Sequence, residues 1–239
     1  MNYLLKISYD GKDFYGFEIQ PDVPTIRGTL ISAVKEVFNN EMHVFASGRT
    51  DRYVHALSLP VLLRGKDTLT EEEVIEGMNN SLPESIRVLS CDKVEKNFHV
   101  RFEALGKKYR YLVDLKGDKD ENYYGKHTYK LDIDKLKKWS QKFVGKKNFA
   151  SFTAKENYET FFRNVQSIEI KKEKDVLIFE ITGKGFMRFM VRNIVGALLA
   201  HNKGQVTDEE LNDWLNNPSK GKAHYKAPGS GLYLVEVYY

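Results

Sequence analysis

Leu-Lys-Ile-Ser-Tyr-Asp-Gly, residues 5–11, is a strand-like segment that runs into a glycine loop. Phe-Glu-Ile-Thr-Gly-Lys-Gly, residues 179–185, has the same character near the other end of the chain. Each segment is followed by a stretch with the periodicity of a helix. A strand, a loop and a helix that occur twice predict an α+β protein made of two halves with ferredoxin-like β-α-β character.

Outward from these segments the chain alternates between predicted strands and helices. Strands are predicted at residues 3–8, 42–46, 54–63, 87–95, 108–115, 163–171, 176–182 and 232–238. Helices are predicted at residues 26–39, 71–79, 132–144 and 186–202, and after Thr207. Thr25, Asp132 and Thr207 are placed to cap helices, and Pro60 predicts a bulge or an unpaired edge in its strand. Residues 116–126, rich in charge and glycine, are predicted to form a flexible excursion.

The composition bounds the classes of protein that this chain can belong to. Its 239 residues suffice for one large domain or two small ones, and 41% hydrophobic residues allow a sizeable core. The formal net charge of +4 does not by itself indicate nucleic-acid binding. Lysine and arginine cluster at residues 107–110, 135–147 and 184–192 with aromatic residues among them, which suits a nucleic-acid surface. For residues 135–147 a solvated, lysine-rich helix face is the better interpretation.

Cysteine usage and hydrophobic patterning exclude further classes. Cys91 is the only cysteine, so no intrachain disulfide and no cysteine-based metal site is expected. The N-terminal residues lack the features of a signal peptide. The longest apolar segment, residues 186–200, contains two arginines and is shorter than the roughly 20 apolar residues that span a bilayer. We therefore expect a soluble, cytoplasmic protein.

The segment Gly48-Arg49-Thr50-Asp51 is the strongest candidate for chemistry. It places a carboxylate and a guanidinium two residues apart, where a strand gives way to a loop, and loops at such positions often carry function. Gly48 lets the backbone turn without a steric penalty from Cβ. The alternative is a loop aspartate that caps a turn, which is a common role for a Thr-Asp pair.

The predicted helix at residues 186–202 carries Arg188 and Arg192 among residues that are apolar nearly all round, so the helix should be largely buried. Four residues apart, the two arginines are predicted to share a face. A buried arginine is costly without a partner, so a carboxylate or a phosphate is expected to meet it. A structural ion pair is the usual case.

Further segments occur in a fixed order along the whole chain. They are Tyr9-Asp10-Gly11, Phe14, Gly16-Phe17, Gln20, Gly48-Arg49-Thr50-Asp51, Val54-His55-Ala56, Phe98-His99-Val100-Arg101-Phe102, Lys108-Tyr109-Arg110-Tyr111, Gly185-Phe186-Met187, Met190-Val191-Arg192-Asn193-Ile194-Val195-Gly196 and Ala227-Pro228-Gly229-Ser230-Gly231-Leu232-Tyr233-Leu234. In this order they closely resemble tRNA pseudouridine synthase A, the TruA family, from about residue 3 to residue 239.

The resemblance implies a fold and an activity. The two halves, residues 1–105 with the catalytic aspartate loop and residues 106–239 with a tyrosine strand and an arginine helix, would form one catalytic unit. They would share one continuous mixed or antiparallel sheet, with helices on one face and a central, positively charged cleft. The implied reaction isomerises uridine to pseudouridine at positions 38–40 of the tRNA anticodon stem-loop, without cofactor or metal. The implied assembly is a homodimer.

The resemblance also assigns roles to single residues. Asp51 matches the catalytic aspartate, which either attacks C1′ of the target nucleotide or removes a proton from C2′. Arg192 matches the arginine that pairs with it and keeps it ionised. Tyr109 matches the active-site tyrosine, whose ring could hold the detached base and whose hydroxyl could serve in proton removal from C5.

Three further residues are expected to bind the substrate. Arg49 matches a residue thought to take the place of the flipped base in the RNA stem. Leu232 is expected to line the base pocket, and Arg188 to bind RNA. His55 could be read as an acid or base, but a strand histidine after a loop is more often structural, so it is left out of the catalytic set.

The chain departs from the resembled pattern at a few positions. Arg52-Tyr53 stands where Ala-Gly is usual, Phe17-Glu18 where Trp-Gln is usual, and Arg27 where Gln is usual. These departures leave open a related enzyme that modifies another tRNA site or ribosomal RNA. An inactive RNA-binding protein, or an unrelated hydrolase that uses Asp51, are the alternatives from other classes.

Overall fold

The computed structural model of the chain describes residues 2–127, 129–154 and 157–239. Within these residues the strands and helices, in chain order, are β1 Asn2–Tyr9, α1 Ile26–Val37, β2 Met42–Ala46, β3 His55–Gly65, α2 Glu71–Ser81, β4 Ile86–Val94, β5 Gly106–Asp114, β6 Gly125–Lys126, α3 Ile133–Ser140, β7 Gly145–Asn148, β8 Phe162–Glu173, β9 Val176–Gly183, α4 Met190–Asn202, α5 Asp208–Asn216 and β10 Leu232–Tyr238. The predicted α+β class, with mixed β-sheet and helices, is confirmed.

The chain forms two compact units. Unit 1 runs to Leu105 and includes Tyr233–Tyr239, and unit 2 is Gly106–Leu232. In unit 1 the strand order is β4-β1-β3-β10, and β2 also pairs with β3. The pairs of β1 with β3 and β4, and of β2 with β3, are antiparallel, whereas β10 runs parallel to β3. Unit 1 therefore contains a mixed sheet, as expected.

The long strand β3 organises unit 1. One edge pairs with β1, while the other pairs with β2 at residues 61–65 and with β10 at residues 55–56. Pro60 lies between these two ladders, and its carbonyl accepts a hydrogen bond from the Ser47 amide at 3.0 Å. A proline tolerates such a place because its missing N–H faces the edge where the β2 ladder has ended. The sequence predicted a bulge or an unpaired edge at Pro60; the structure shows a gap between two ladders at this position, with the Pro60 carbonyl bonded to Ser47.

Alternating side chains build the core of unit 1. Leu5 and Ile7 of β1 and Leu59 and Val61 of β3 have no exposed surface, because alternate residues of a strand point to the same face. Helix α1 contributes Leu30, which is also fully buried. Burial of each such side chain contributes about 1.5–3 kcal/mol to folding.

Both helices of unit 1 begin directly after a threonine that caps the first turn. The Thr25 side chain accepts a hydrogen bond from the Gly28 amide, as predicted, and α1 starts at the next residue. Helix α2 follows a capping box in which Thr70 and Glu73 each bond the backbone of the other.

Unit 2 contains the strand order β5-β9-β8-β7, all antiparallel, with the short β6 parallel to β5. The predicted antiparallel pair of β8 and β9 is confirmed. Asp132 caps α3, and Thr207 forms a capping box with Glu210 at the start of α5, so both predicted caps are confirmed. β7 was not predicted, because its sequence Gly-Lys-Lys-Asn carries no apolar pattern. The predicted helix at 132–144 is shorter, since α3 ends at Ser140 and a 3₁₀ turn follows.

The observed start of helix α4 differs from the predicted start. It begins at Met190 rather than at residue 186, because Phe189 adopts a left-handed conformation with φ of 63°. Arg188 therefore precedes the helix and is exposed, so its predicted helical relationship with Arg192 is wrong. From Met190 onward the helix is largely buried, as predicted. Among the residues described, no helix has the length and apolar character needed to cross a membrane.

Candidate active site

The backbone of residues 50–52 is packed against the loop that follows β1. Gly16 lies there with φ of +96°, and a Cβ at this position would be 3.0 Å from the Thr50 carbonyl oxygen and 3.2 Å from the Arg52 nitrogen. The Phe17 amide donates a hydrogen bond to the Thr50 carbonyl at 3.0 Å. Only glycine allows the two backbones to approach this closely. The loop thereby fixes the segment that carries Asp51, which is itself half-buried.

The start of the same loop holds the other end of the segment. A Cβ on Gly11 would be 2.2 Å from the Val54 carbonyl oxygen, so these backbones are also in direct contact. The Tyr9 hydroxyl and the Thr50 hydroxyl lie 2.7 Å apart, within hydrogen-bond distance. Contacts at Thr50, Arg52 and Val54 therefore bracket Asp51. Such support is what a catalytic group needs if it is to meet its substrate in one geometry.

His55 is fixed inside unit 1. It is 2% exposed, and its ring stacks on Tyr233 at a centroid distance of 4.6 Å. The Gly11 amide donates to Nδ1 at 3.1 Å. Asp10 Oδ1 also lies 3.2 Å from Nδ1. This contact needs a hydrogen on Nδ1, whereas the bond from the Gly11 amide needs the lone pair there, so the two contacts compete. These contacts suit the structural role that the sequence favoured for His55.

Arg49 belongs to a three-residue ion cluster. Its Nε lies 2.9 Å from Glu18 Oε2, and Arg27 Nη1 bonds the other carboxylate oxygen of Glu18. The Arg49 side chain is nevertheless 71% exposed. Glu18 and Arg27 are both departures from the resembled pattern, and their contact explains why they occur together. Two guanidinium groups around one carboxylate leave this surface with a net positive charge, which suits RNA phosphates.

Two further departures, Arg52 and Tyr53, also contact each other. The Arg52 guanidinium carbon lies 3.9 Å from the centroid of the Tyr15 ring and 4.4 Å from that of Tyr53. Tyr53 has a φ of 66°, a left-handed conformation that costs an L-residue about 1–2 kcal/mol. Each exposed cation–π contact contributes about 0.5–1 kcal/mol. The contact with Tyr53 therefore offsets about half of the cost of a tyrosine where glycine would be relaxed, whereas the contact with Tyr15 does not depend on residue 53.

In unit 2, Tyr109 lies on β5 opposite Ile181 of β9, and its ring meets Phe186 edge to face at 5.2 Å. Its neighbours in β5 point to the opposite face of the sheet. There Glu180 binds Lys108 Nζ at 3.0 Å and Arg110 Nη2 at 2.6 Å. Burial raises the pKa of Glu180, but the hydrogen bonds from these two cations outweigh it, so the pKa is lower than usual. The cluster thus stabilises the strand that carries Tyr109.

Arg192 is half-buried and tied to the segment after α5. Its Nε donates to the Ala227 carbonyl at 2.8 Å, and the Ala227 amide donates to the Arg192 carbonyl at 3.1 Å. The guanidinium carbons of Arg188 and Arg192 lie 4.8 Å and 5.3 Å from the centroid of the Phe189 ring, and Lys226 Nζ lies 4.2 Å from it. The structure therefore brings the two predicted arginines together around one ring, although they do not share a helix.

The predicted site residues divide between the two units. Asp51 and Arg49 lie in unit 1, whereas Tyr109, Arg188, Arg192 and Leu232 lie in unit 2. Leu232 is 5% exposed at the start of β10. Sequence reasoning missed the contacts of Tyr15 and Glu18, although it singled out Glu18, Arg27, Arg52 and Tyr53 as unusual.

Unit 2 also contains a cavity of about 260 Å³ whose lining includes Lys126, Lys203 and Lys226, but neither Tyr109 nor Arg192. Within the described parts of the chain, no group of three or more histidine, cysteine, aspartate or glutamate residues is placed to hold a metal ion.

A supported carboxylate with exposed arginines and aromatic rings beside it, on an α+β fold, is the combination expected of an enzyme that acts on RNA. The family model described as tRNA pseudouridine synthase matches residues 6–103 and 140–239. The chain belongs to this family, whose members isomerise uridine to pseudouridine in RNA. The family resemblance predicted from the sequence is confirmed.

Two named relatives match this chain over their full length. The chain is 38% identical to the tRNA pseudouridine synthase A of Malacoplasma penetrans (strain HF-2), covering 100% of both proteins. It is 31% identical to the protein of the same name from Thermoanaerobacter sp. (strain X514), covering 100% of this chain and 99% of the relative. A chain of a solved Cbf5-Nop10-Gar1 complex is similar over 98% of this chain and 58% of that chain, at 14% identity and a TM-score of 0.43.

Proposed function

We propose that this protein converts uridine to pseudouridine at positions 38–40 of the tRNA anticodon stem-loop. The reaction breaks the C1′–N1 bond, turns the detached base and rejoins it through C5, from which a proton is then lost. The observation that carries the proposal is the Asp51 carboxylate on a segment held by backbone contacts at Gly11 and Gly16. The full-length identity to proteins named tRNA pseudouridine synthase A supports tRNA as the substrate.

Asp51 is the residue that starts the reaction in this proposal. It either attacks C1′ or takes the C2′ proton, and both routes need an ionised carboxylate in a fixed position. Arg192 is proposed as a catalytic residue that favours the ionised form, and Tyr109 as the residue that holds the detached base. The edge-to-face contact with Phe186 supports this role for Tyr109, because it restrains the ring before the substrate arrives.

Arg49, Arg188 and Leu232 are proposed to bind the substrate. A uridine in a stem must leave its stack to be reached, which costs a few kcal/mol. Arg49 would offset part of this cost by stacking in the vacated place, and its high exposure supports that role. Exposed Arg188 would meet phosphates, and buried Leu232 would contact the base.

We also propose that the predicted halves, residues 1–105 and 106–239, act as one catalytic unit, in a homodimer and in the cytoplasm. The relatives' name, tRNA pseudouridine synthase A, supports tRNA as the partner and the cytoplasm as the compartment.

Position mapping tests the proposal. Wild-type protein is incubated with a set of tRNA transcripts that each keep a single uridine at position 38, 39 or 40. Carbodiimide labelling and primer extension then locate pseudouridine. Stops at these positions, and none in a transcript that lacks uridine there, are the expected result.

A second candidate function is isomerisation at another tRNA site or in ribosomal RNA. Arg52 and Tyr53 favour it, because two large side chains stand beside Asp51 where small ones are usual. Modification of ribosomal RNA fragments, or of tRNA outside positions 38–40, would replace the first proposal with the second.

A further inference from the structure

We propose that Tyr15, Arg52 and Tyr53 form a stacking platform for an unpaired nucleotide that flanks the target uridine. This inference rests on the proposed function, and it names a contact that helps to select the RNA. The three residues are called the Tyr-Arg-Tyr platform below.

The first argument is geometric. The Arg52 guanidinium contacts both tyrosine rings, at 3.9 Å and 4.4 Å from their centroids, so the three side chains form one assembled surface. That surface is open, because Tyr15 is 36% and Tyr53 38% exposed. Each ring therefore retains area that Arg52 does not cover. Rings that arginine already orders lose little entropy when a further flat group stacks on them.

The second argument is chemical. Exposed aromatic rings beside a cation are the elements with which proteins bind single-stranded nucleic acid, because every base offers a π-face and every nucleotide a phosphate. Unpaired bases are the usual targets of such stacking in RNA. The adjacent cluster of Arg27, Arg49 and Glu18 adds a net positive charge to the same unit, which suits the phosphates on either side of the stacked base.

The third argument is position. Arg52 directly follows Asp51 in the chain, and the Gly16 loop, which bears Tyr15, contacts the backbone from Thr50 to Arg52. Adjacent Cα atoms are about 3.8 Å apart. A nucleotide on the platform would therefore lie next to the uridine on which Asp51 acts. The platform would act as a specificity determinant and not as a catalytic residue.

Fluorescence quenching provides the test. Anticodon stem-loop RNAs whose target uridine borders the loop carry 2-aminopurine at single unpaired positions of the adjacent loop. Wild-type protein is expected to quench the probe at one of these positions. Tyr53→Gly removes the ring and relaxes the left-handed backbone, so the variant should fold. It is expected to abolish quenching at that position and to raise KM about tenfold with little change in kcat.

Two variants sharpen the result. Tyr53→Phe keeps the ring and should behave as wild type, since stacking does not need the hydroxyl. Phe45→Ala is the matched control, because Phe45 is a 42% exposed ring of unit 1 that contacts another arginine, Arg64. It should leave quenching and KM unchanged.

Unchanged quenching and KM in Tyr53→Gly, or equal losses in Tyr53→Phe and Tyr53→Gly, would overturn the inference. Tritium release from uridine C5 is measured on the same RNAs without the probe. Absence of release from wild-type protein would overturn the proposed function. Quenching does not require turnover, so it decides the stacking contact separately.

Discussion

Replacement of Gly16 by alanine should lower the stability of unit 1 and displace the backbone of the segment that carries Asp51. An L-residue at φ of +96° pays about 1–2 kcal/mol for the backbone conformation alone. The added Cβ would also lie 3.0 Å from the Thr50 carbonyl oxygen and 3.2 Å from the Arg52 nitrogen. Backbone atoms cannot rotate away as a side chain does, and overpacking of this kind costs about 1–3 kcal/mol. The expected loss is therefore about 2–5 kcal/mol, the sum of the two effects.

Gly145→Ala is the matched control for this experiment. Gly145 has φ of +101°, but nothing lies within 4 Å of the position that its Cβ would take. It should lose only the backbone contribution, about 1–2 kcal/mol. The difference between the two variants isolates the contact of position 16 with the Asp51 segment, about 1–3 kcal/mol.

Urea denaturation followed by circular dichroism gives the two unfolding free energies, and tritium release from uridine C5 gives the rates. The Gly16→Ala variant should lose roughly 100-fold in kcat, because a shift of about 1 Å in a reacting group has effects of this size. The Gly145→Ala variant should keep wild-type kcat. Equal unfolding free energies in the two variants, together with full activity of Gly16→Ala, would refute the reasoning.

Two further predictions concern titrating groups. Burial raises the pKa of the Cys91 thiol to about 12, so the native protein near pH 8 should react with iodoacetamide roughly 1,000-fold more slowly than the urea-unfolded chain; equal rates would contradict this. Burial also lowers the pKa of His127, helped by Lys203, and of His201, where the bond to Asp208 opposes it only in part. Below about pH 6.5 the unfolded chain then binds more protons than the folded chain. The unfolding free energy should therefore have its full value above about pH 6.5 and decrease as the pH is lowered further. A urea midpoint that is the same at pH 7.5 and pH 5.5 would contradict the second prediction.

Local signals in the sequence predicted most of the fold. Caps such as Thr25 and Thr207 act through hydrogen bonds within three residues, so the sequence alone locates the helix starts that they define. The left-handed Phe189 has no such signal, because large L-residues rarely adopt positive φ. The helical periodicity therefore predicts a start for α4 that is four residues too early.

The candidate site was predictable only in part, for a related reason. Asp51 and Tyr109 could be named because the resemblance assigns roles to single positions. The contact of Glu18 with Arg49, and that of Arg52 with Tyr15, join residues far apart in the chain. Such pairs arise when the loop after β1 packs on the Asp51 segment, and no periodic pattern encodes that packing.

The most direct measurement is tritium release from tRNA that carries tritium at uridine C5, compared between wild-type protein and Asp51→Asn. Asp13→Asn is the control, since Asp13 is an exposed aspartate of the same unit. Wild type and Asp13→Asn should release tritium at the same rate, while Asp51→Asn should fold normally and release none. Release by Asp51→Asn at the wild-type rate would contradict the assignment of Asp51 as the residue that starts the reaction.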